Sequence, residues 1–444
     1  MERNSRSIDM KSQPLTQITG ELAITDKRKT PEETPLPFQT RRVLFLLAAC
    51  IALMMTGYGI VMPVFAKRIG ELGSGVAALG LMTMGFAFAQ FLLSPFMGSF
   101  ADRFGRRPLI LIALAGEVVA NSAYLFAHAV PLYISIRFFQ GAITAGLLPS
   151  ALGIVGDKVP EERRAQWTGV IMGSYGAGFI FGPALGGVLF DHWGFAAPFA
   201  VSGSLALVAL ILALVMVPET RSAAQRAAKL KLAGGLTGWK GLRATLPRSL
   251  YLFATLLIID FIATFAFAFI EPQMAFYAYN QLLLSPTQLG IIIGAYGLTM
   301  LLGQAFLGNL SDRFGRKPII IIGLILNSTL YLGLIYLKSF VLLLPVAVLA
   351  GLGDSLFIPA IAAAYLDIAE PEHQSQVIGI KGSGAALAGV VGPLLVAVIS
   401  AWTAPQGIFA ISVGATLVAI ILALIVLKGR SRAEDGKVQP FTLH

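Results

Sequence analysis

The 444-residue chain has little charge: Asp, Glu, Lys and Arg together make up 13% of it. An ordinary soluble domain carries roughly 25%, so a water-covered globular surface is excluded. The single cysteine, Cys50, excludes a disulfide within the chain and leaves no thiolate cluster for a metal. The four histidines lie scattered, without metal-ligand spacing. Neither a GxSxG nucleophile motif nor a dinucleotide fingerprint occurs. With no soluble stretch long enough for an active site, an enzyme is not expected, nor is any cofactor or metal. Residues 1–41 have no apolar h-region, which excludes a cleaved signal peptide there; their composition reads as a disordered tail.

Apolar residues are what the chain has in excess. They make up 56% of it, with 47 glycines and a mean hydropathy of +0.77. They fall in blocks of about 20, the length that crosses a hydrocarbon core about 30 Å thick. Twelve blocks predict twelve spans, numbered here in chain order. The first six cover 42–65, 76–98, 108–128, 131–153, 164–190 and 196–217. The second six cover 249–272, 287–308, 318–337, 340–366, 376–400 and 404–427. A basic linker, 218–248, separates two six-helix halves, 42–217 and 249–427, and a short tail, 428–444, follows.

The lysines and arginines orient these spans. Of 33, 28 fall in the two terminal segments or in the 2–3, 4–5, 6–7 and 8–9 loops. Lys67, Arg68 and Lys338 fall in the opposite loops, while Arg137 and Lys381 lie inside spans. The positive-inside rule then places both termini in the cytoplasm. It also accounts for the formal charge of +10 without nucleic acid.

The chain repeats itself at an offset of 210. Gly98, Asp102, Arg103, Gly105 and Arg106 recur as Gly308, Asp312, Arg313, Gly315 and Arg316. Gly141, Pro149, Asp157, Gly169, Gly182 and Pro183 recur as Gly351, Pro359, Asp367, Gly379, Gly392 and Pro393. Two homologous halves suit a transporter that rocks one against the other around a midplane site.

Three motifs carry a family resemblance. Gly98, Asp102, Arg103, Gly105, Arg106 and Arg107 between spans 2 and 3 resemble the signature loop of the major facilitator superfamily. The glycines permit a tight turn, and Asp102 stands one helical turn from Arg106, close enough to pair with it. Arg137, with Gln140 and Gly141 in span 4, resembles the family's second motif. In span 5, Gly178, Gly182, Pro183, Gly186 and Gly187 resemble the motif that marks drug:proton antiporters. Spacing by four lines up Gly178, Gly182 and Gly186 in a stripe that a neighbouring backbone can approach, and Pro183 adds a kink. The second half has Val396 at the position of Gly186, so span 11 is not an equivalent hinge.

The resemblance covers about 42–427 and is nearest to twelve-span multidrug and tetracycline efflux proteins. It implies an all-α major facilitator fold, a small-molecule substrate, protons as the energy source, a lipid surround and a monomer in a bacterial cytoplasmic membrane. It also implies that the signature loop joins the halves on the cytoplasmic side and that Arg137 takes part in proton coupling. Met54 and Met55 in span 1, and Ala120 in span 3, depart from the acids of the tetracycline group, which argues against tetracycline as substrate.

Acids inside spans are few. An ionised carboxylate in hydrocarbon costs several kcal/mol, so each must face a cavity, find a partner or take up a proton. Asp260 in span 7 and Asp354 in span 10 are the expected proton carriers, in line with multidrug members that use acids in those helices. Glu117 in span 3 is expected to pair with Arg137. Glu271 is expected at the outer interface, and Lys381 is expected to snorkel from the inner end of span 11. Tyr58, Met62, Tyr175, Phe267 and Tyr277 are candidate cavity residues, since methionines and aromatic rings suit a broad-specificity surface. The expected function is proton-coupled efflux of lipophilic or cationic compounds. The alternative is export or import of a specific metabolite, sugar or siderophore.

Overall fold

The computed structural model describes residues 36–219, 247, 249–308, 310–370 and 374–427. The expected tails and most of the linker lie outside the described residues. All regular elements among the described residues are helical. Among the described residues, twelve helices are long and apolar enough to cross a membrane. The first six are Phe38–Glu71, Val76–Ser94, Arg106–Leu125, Val130–Lys158, Gln166–Trp193 and Ala196–Met216. The second six are Leu250–Asn280, Pro286–Leu307, Arg316–Tyr336, Phe340–Ile368, Val377–Ile399 and Pro405–Val426. Spans 1 and 7 run past their expected ends. Lys67 and Arg68 end an apolar run but are good helix formers, so they do not end the helix.

Span 4 is interrupted, with helices Val130–Thr144 and Leu147–Lys158. Pro149 has no N–H to give to the carbonyl of Ala145, and the turn at Ala145 and Gly146 sits where that bond is lost.

The repeat is visible as contacts. Gly141 lies against the backbone of Phe86, and Gly351 against that of Tyr296. Gly182 lies against Gly59, and Gly392 against Phe269. Arg106 pairs with Asp157 at 2.7 Å, and Arg316 with Asp367 at 2.9 Å. Arg107 donates to the carbonyl of Leu214 and Lys317 to that of Leu424, at 2.6 and 2.7 Å. Each pair of contacts is related by the same offset of 210, so the halves repeat in packing as well as in sequence.

Three apolar cores show how the halves meet. One contains Phe65, Tyr124 and Phe199 from the first half together with Phe269, Leu289 and Tyr331 from the second. The other two each belong to one half: Leu47, Ile110 and Ile154 in the first, Leu256, Leu324 and Ile361 in the second. The shared core lies at the end away from the signature loops, called here the far end; the separate cores lie at the opposite, basic end. The halves are therefore closed together at the far end and parted at the basic end. In the parted region a Cβ added at Gly169, Gly173 or Gly176 of span 5, or at Gly379 or Gly382 of span 11, would meet nothing within 4 Å. Large apolar side chains such as Val215, Phe306 and Ile425 are exposed on the outside of the bundle, as a lipid surround requires.

Candidate functional site

Span 5 is wedged between spans 1 and 8. Its glycine stripe meets span 1: Gly178 lies beside Met55 and Thr56, Gly182 beside Gly59, and Gly186 beside Ile60. Gly187 turns the other way, to Pro286 and Thr287 of span 8. Pro183 stands inside a helix that continues through it, and its carbonyl region packs on Gly290 of span 8. The expected close approach is present, and it joins both halves through one helix.

Arg137 is 5% exposed. Its guanidinium donates to the Tyr58 hydroxyl at 2.7 Å and to Gln140 Oε1 at 2.9 Å. The rings of Tyr58, Phe65 and Phe86 lie 4.6, 5.0 and 4.4 Å from it, so its charge is held by π-faces as well as hydrogen bonds. The expected direct pair with Glu117 does not form. Gln140, three residues on and so on the same helix face, stands between them and donates from Nε2 to Glu117 Oε1 at 2.7 Å. An amide has both an acceptor for the guanidinium and a donor for the carboxylate, so it bridges the two. Asn121 adds a second donor to Glu117 at 3.2 Å, and Tyr124 donates to Gln140 at 3.1 Å.

Two cavities flank this chain of bonds. One, of about 330 Å³, lies against the first half at the break in span 4; Met54, Met55, Tyr58, Phe86, Thr144 and Tyr175 line it. The other, of about 30 Å³, lies between the halves and is lined by Met62, Thr83 and Arg137 from the first half and Glu271, Pro272 and Met274 from the second. Glu271 is thus not at the outer interface. It faces the Arg137 cavity because span 7 extends to Asn280, which leaves Glu271 more than two turns short of the helix end.

In the second half Asp354 accepts from the Tyr296 hydroxyl and, at 2.8 Å, from Asn327. Phe267 stacks on Tyr296 at 5.7 Å. Asn327 is the repeat counterpart of Glu117, Tyr296 of Phe86 and Asp354 of Thr144. The carboxylate hydrogen-bonded at this repeat site therefore stands on span 3 in the first half and on span 10 in the second, while Asp260 and Glu271 add carboxylates on span 7.

Asp260 stands apart from Asp354 and pairs with Lys381 at 3.4 Å. The Lys381 ammonium thus faces span 7, where it pairs with the buried Asp260 carboxylate. Tyr277 is not a cleft residue. It packs edge-on against Phe409 at 5.2 Å and borders a cavity at the far end with Gly75 and Ser400.

Gly105 and Gly315 turn the chain at φ +104° and +90°, a region that favours glycine. Asp312 pairs with Arg316 as expected for this motif; the side chain of Asp102 lies outside the described ones. Arg103 lies over the Phe104 ring. Glu219, a residue the motifs do not include, accepts from the backbone N–H groups of Arg106 and Arg107, both at 3.3 Å. It thereby caps the start of span 3. These contacts run within one half or between the first half and Glu219 at the start of the linker. Gln140 and Asn327 were also outside the acid-centred reading. The repeat would have pointed to Asn327, as the counterpart of Glu117. Among the described residues, no group of three or more His, Cys, Asp or Glu side chains could hold a metal ion.

A family model described as the Major Facilitator Superfamily matches residues 44–279 and 256–442. The chain belongs to the Major Facilitator Superfamily. It is 26% identical over 374 residues to the class C tetracycline resistance protein of Escherichia coli, covering 82% of this chain and 91% of that one. It is 23% identical over 395 residues to the quinolone resistance protein NorA of Staphylococcus aureus, covering 88% and 98%. A crystal structure of a bacterial homolog of the human lysosomal transporter Spinster, inward-facing and unoccupied, shares the fold with a TM-score of 0.69 at 15% identity, covering 88% and 96%. The human organic anion transporter MFSD10 shares it with a TM-score of 0.63 at 21% identity, covering 87% and 100%. The chain is a multi-pass membrane transporter of this superfamily with drug-resistance proteins among its relatives, and it is not an enzyme.

Proposed function

We propose that this Major Facilitator protein exports small lipophilic or amphipathic compounds from the cytoplasm in exchange for protons. The carrying observation is the cleft parted at the basic end, which holds an apolar, methionine- and aromatic-lined cavity beside a buried ionisable network. Basic loops face the cytoplasm, so the cavity is open to compounds inside the cell. Rigid aromatic rings and adaptable methionines suit apolar substrates of varied shape. The drug-resistance names of both relatives support the same reading.

Glu271 and Asp354 are the proposed proton carriers, with Arg137 and Glu117 as the coupled network beside them. Asp260 is engaged by Lys381 and acts with it as a pair. When the cleft faces inward the carriers lose their protons and substrate binds. Once the halves rock outward, protons from outside take up the negative charge, the hold on substrate weakens, and the empty protein returns. The 30 Å³ cavity shared by Arg137 and Glu271 lies between the halves, where a change of charge bears directly on their closure.

The test uses inside-out vesicles carrying the protein, an imposed proton gradient and a pH-sensitive dye. A lipophilic substrate should dissipate the gradient in wild-type vesicles and not in Asp354→Asn or Glu271→Gln vesicles. Full proton-driven uptake in both variants would overturn the assignment of carriers. A panel of lipophilic drugs that moves no protons at all would overturn the exporter reading.

A further inference from the structure

The far end is closed by a bond that completes one half's helix with the other half's side chain. Span 8 opens with Ser285 as its N-cap, and its first turn leaves backbone N–H groups without helical acceptors. Pro286 has none to offer. Gln288 N–H goes to the Ser285 hydroxyl at 3.2 Å, and Leu289 N–H goes to the Ser285 carbonyl at 3.1 Å. Only Thr287 N–H is left, and Asp191 Oδ2, at the end of span 5 in the first half, accepts it at 3.0 Å. A carboxylate at a helix N-terminus gains from the helix dipole as well as from the hydrogen bond.

The surrounding packing fixes this meeting. A Cβ at Gly187 would run into Pro286 and Thr287, and a Cβ at Gly290 into Pro183 and Ala184. Spans 5 and 8 therefore touch backbone to backbone one turn below Asp191. Because they belong to opposite halves, separating spans 5 and 8 at the far end would break the Asp191–Thr287 bond. Nothing in the motif of span 5, which ends at Gly187, includes Asp191.

We infer that Asp191 is a latch of the transport cycle, a positioning residue that caps span 8 from the other half and holds the far end shut while the basic end is open. This rests on the alternating-access reading, but its readout is conformational and does not depend on which substrate or ion is carried. Capping of this kind at an exposed site contributes about 0.3–1 kcal/mol, a two- to five-fold bias toward the closed far end.

The experiment places spin labels at His128→Cys and Lys338→Cys, exposed residues in two far-end turns related by the repeat, in protein with Cys50→Ala. Distance distributions are recorded in detergent and in vesicles. Asp191→Ala should raise the ratio of long to short distances two- to five-fold, Asp191→Asn less, and Asp191→Glu should return most of the bias. Unchanged distances in Asp191→Ala would overturn the latch. So would an equal shift in Asp191→Ala and Asp191→Glu, since that would show a packing defect and not a lost cap. Because the labels report conformation without substrate, absence of proton-driven transport in the unsubstituted protein together with the expected distance shift in Asp191→Ala would count against the proposed function and leave the latch standing.

Discussion

Gly59 and Gly182 meet backbone to backbone, so that a Cβ on Gly182 would stand 2.6 Å from the Gly59 Cα. Both atoms belong to helix backbones, which cannot rotate away as a flexible side chain would. Gly182→Ala should therefore force spans 1 and 5 apart, at a cost of about 1–3 kcal/mol. The expected result is a lowered unfolding temperature in detergent and loss of transport. Gly173→Ala and Gly176→Ala, on the same helix but facing open space, should be tolerated. Similar unfolding temperatures for all three variants would contradict the packing described.

Gln140 hydrogen-bonds to both Arg137 and Glu117. Gln140→Leu keeps the volume and removes both bonds, leaving a buried guanidinium and a buried carboxylate each short of a partner. Such orphaned groups cost about 1–3 kcal/mol, more when charged. The variant should lose stability and transport together. Gln140→Glu puts a carboxylate against Glu117 and should be worse than Leu when both are ionised. Thermal unfolding of the three purified proteins decides the order; a Gln140→Leu protein as stable as wild type would show that the bridge contributes nothing.

Tyr279 donates to the carbonyl of Pro63 at 2.6 Å, again from one half to the other, and the Lys67 ammonium lies 5.9 Å from its ring centroid. Tyr279→Phe keeps the ring and removes the bond, worth about 1 kcal/mol net. The far end should open about five-fold more often. Accessibility of a far-end cysteine to a charged thiol reagent measures this, and an unchanged labelling rate would show that the bond does not hold the closed state.

The twelve spans were legible because each must supply about 20 apolar residues, and the halves because a fixed offset carries whole motifs. Contacts of Arg137 were less legible. A charge pair could be anticipated from an acid and a base inside neighbouring spans, but the sequence does not show that an uncharged amide, Gln140, has the geometry to sit between them. Glu271 was misplaced because Pro272 beside it reads as a helix end, whereas span 7 continues through the proline for two more turns. The pairing of Lys381 with Asp260 was not legible, because it depends on how spans 7 and 11 face each other. Asp191 and Glu219 cap helices that begin about 96 and 113 residues away in sequence, a distance at which no local pattern links a cap to its helix.

Asp260 and Lys381 form a pair whose two roles make opposite predictions. Asp260 is 5% exposed and the half-buried Lys381 lies 3.4 Å away, so Asp260→Asn leaves a half-buried ammonium without its counter-charge. Breaking a buried pair in this way costs more than removing both partners. Asp260→Asn alone should therefore lower the unfolding temperature, whereas Asp260→Asn with Lys381→Met should recover most of it. Transport then separates the roles. If the pair is structural, the double variant regains proton-driven transport along with stability. If Asp260 itself carries a proton, the double variant is stable and still uncoupled. The Lys381 pair beside Asp260 favours the first outcome, in line with the proposal that Glu271 and Asp354 carry the proton.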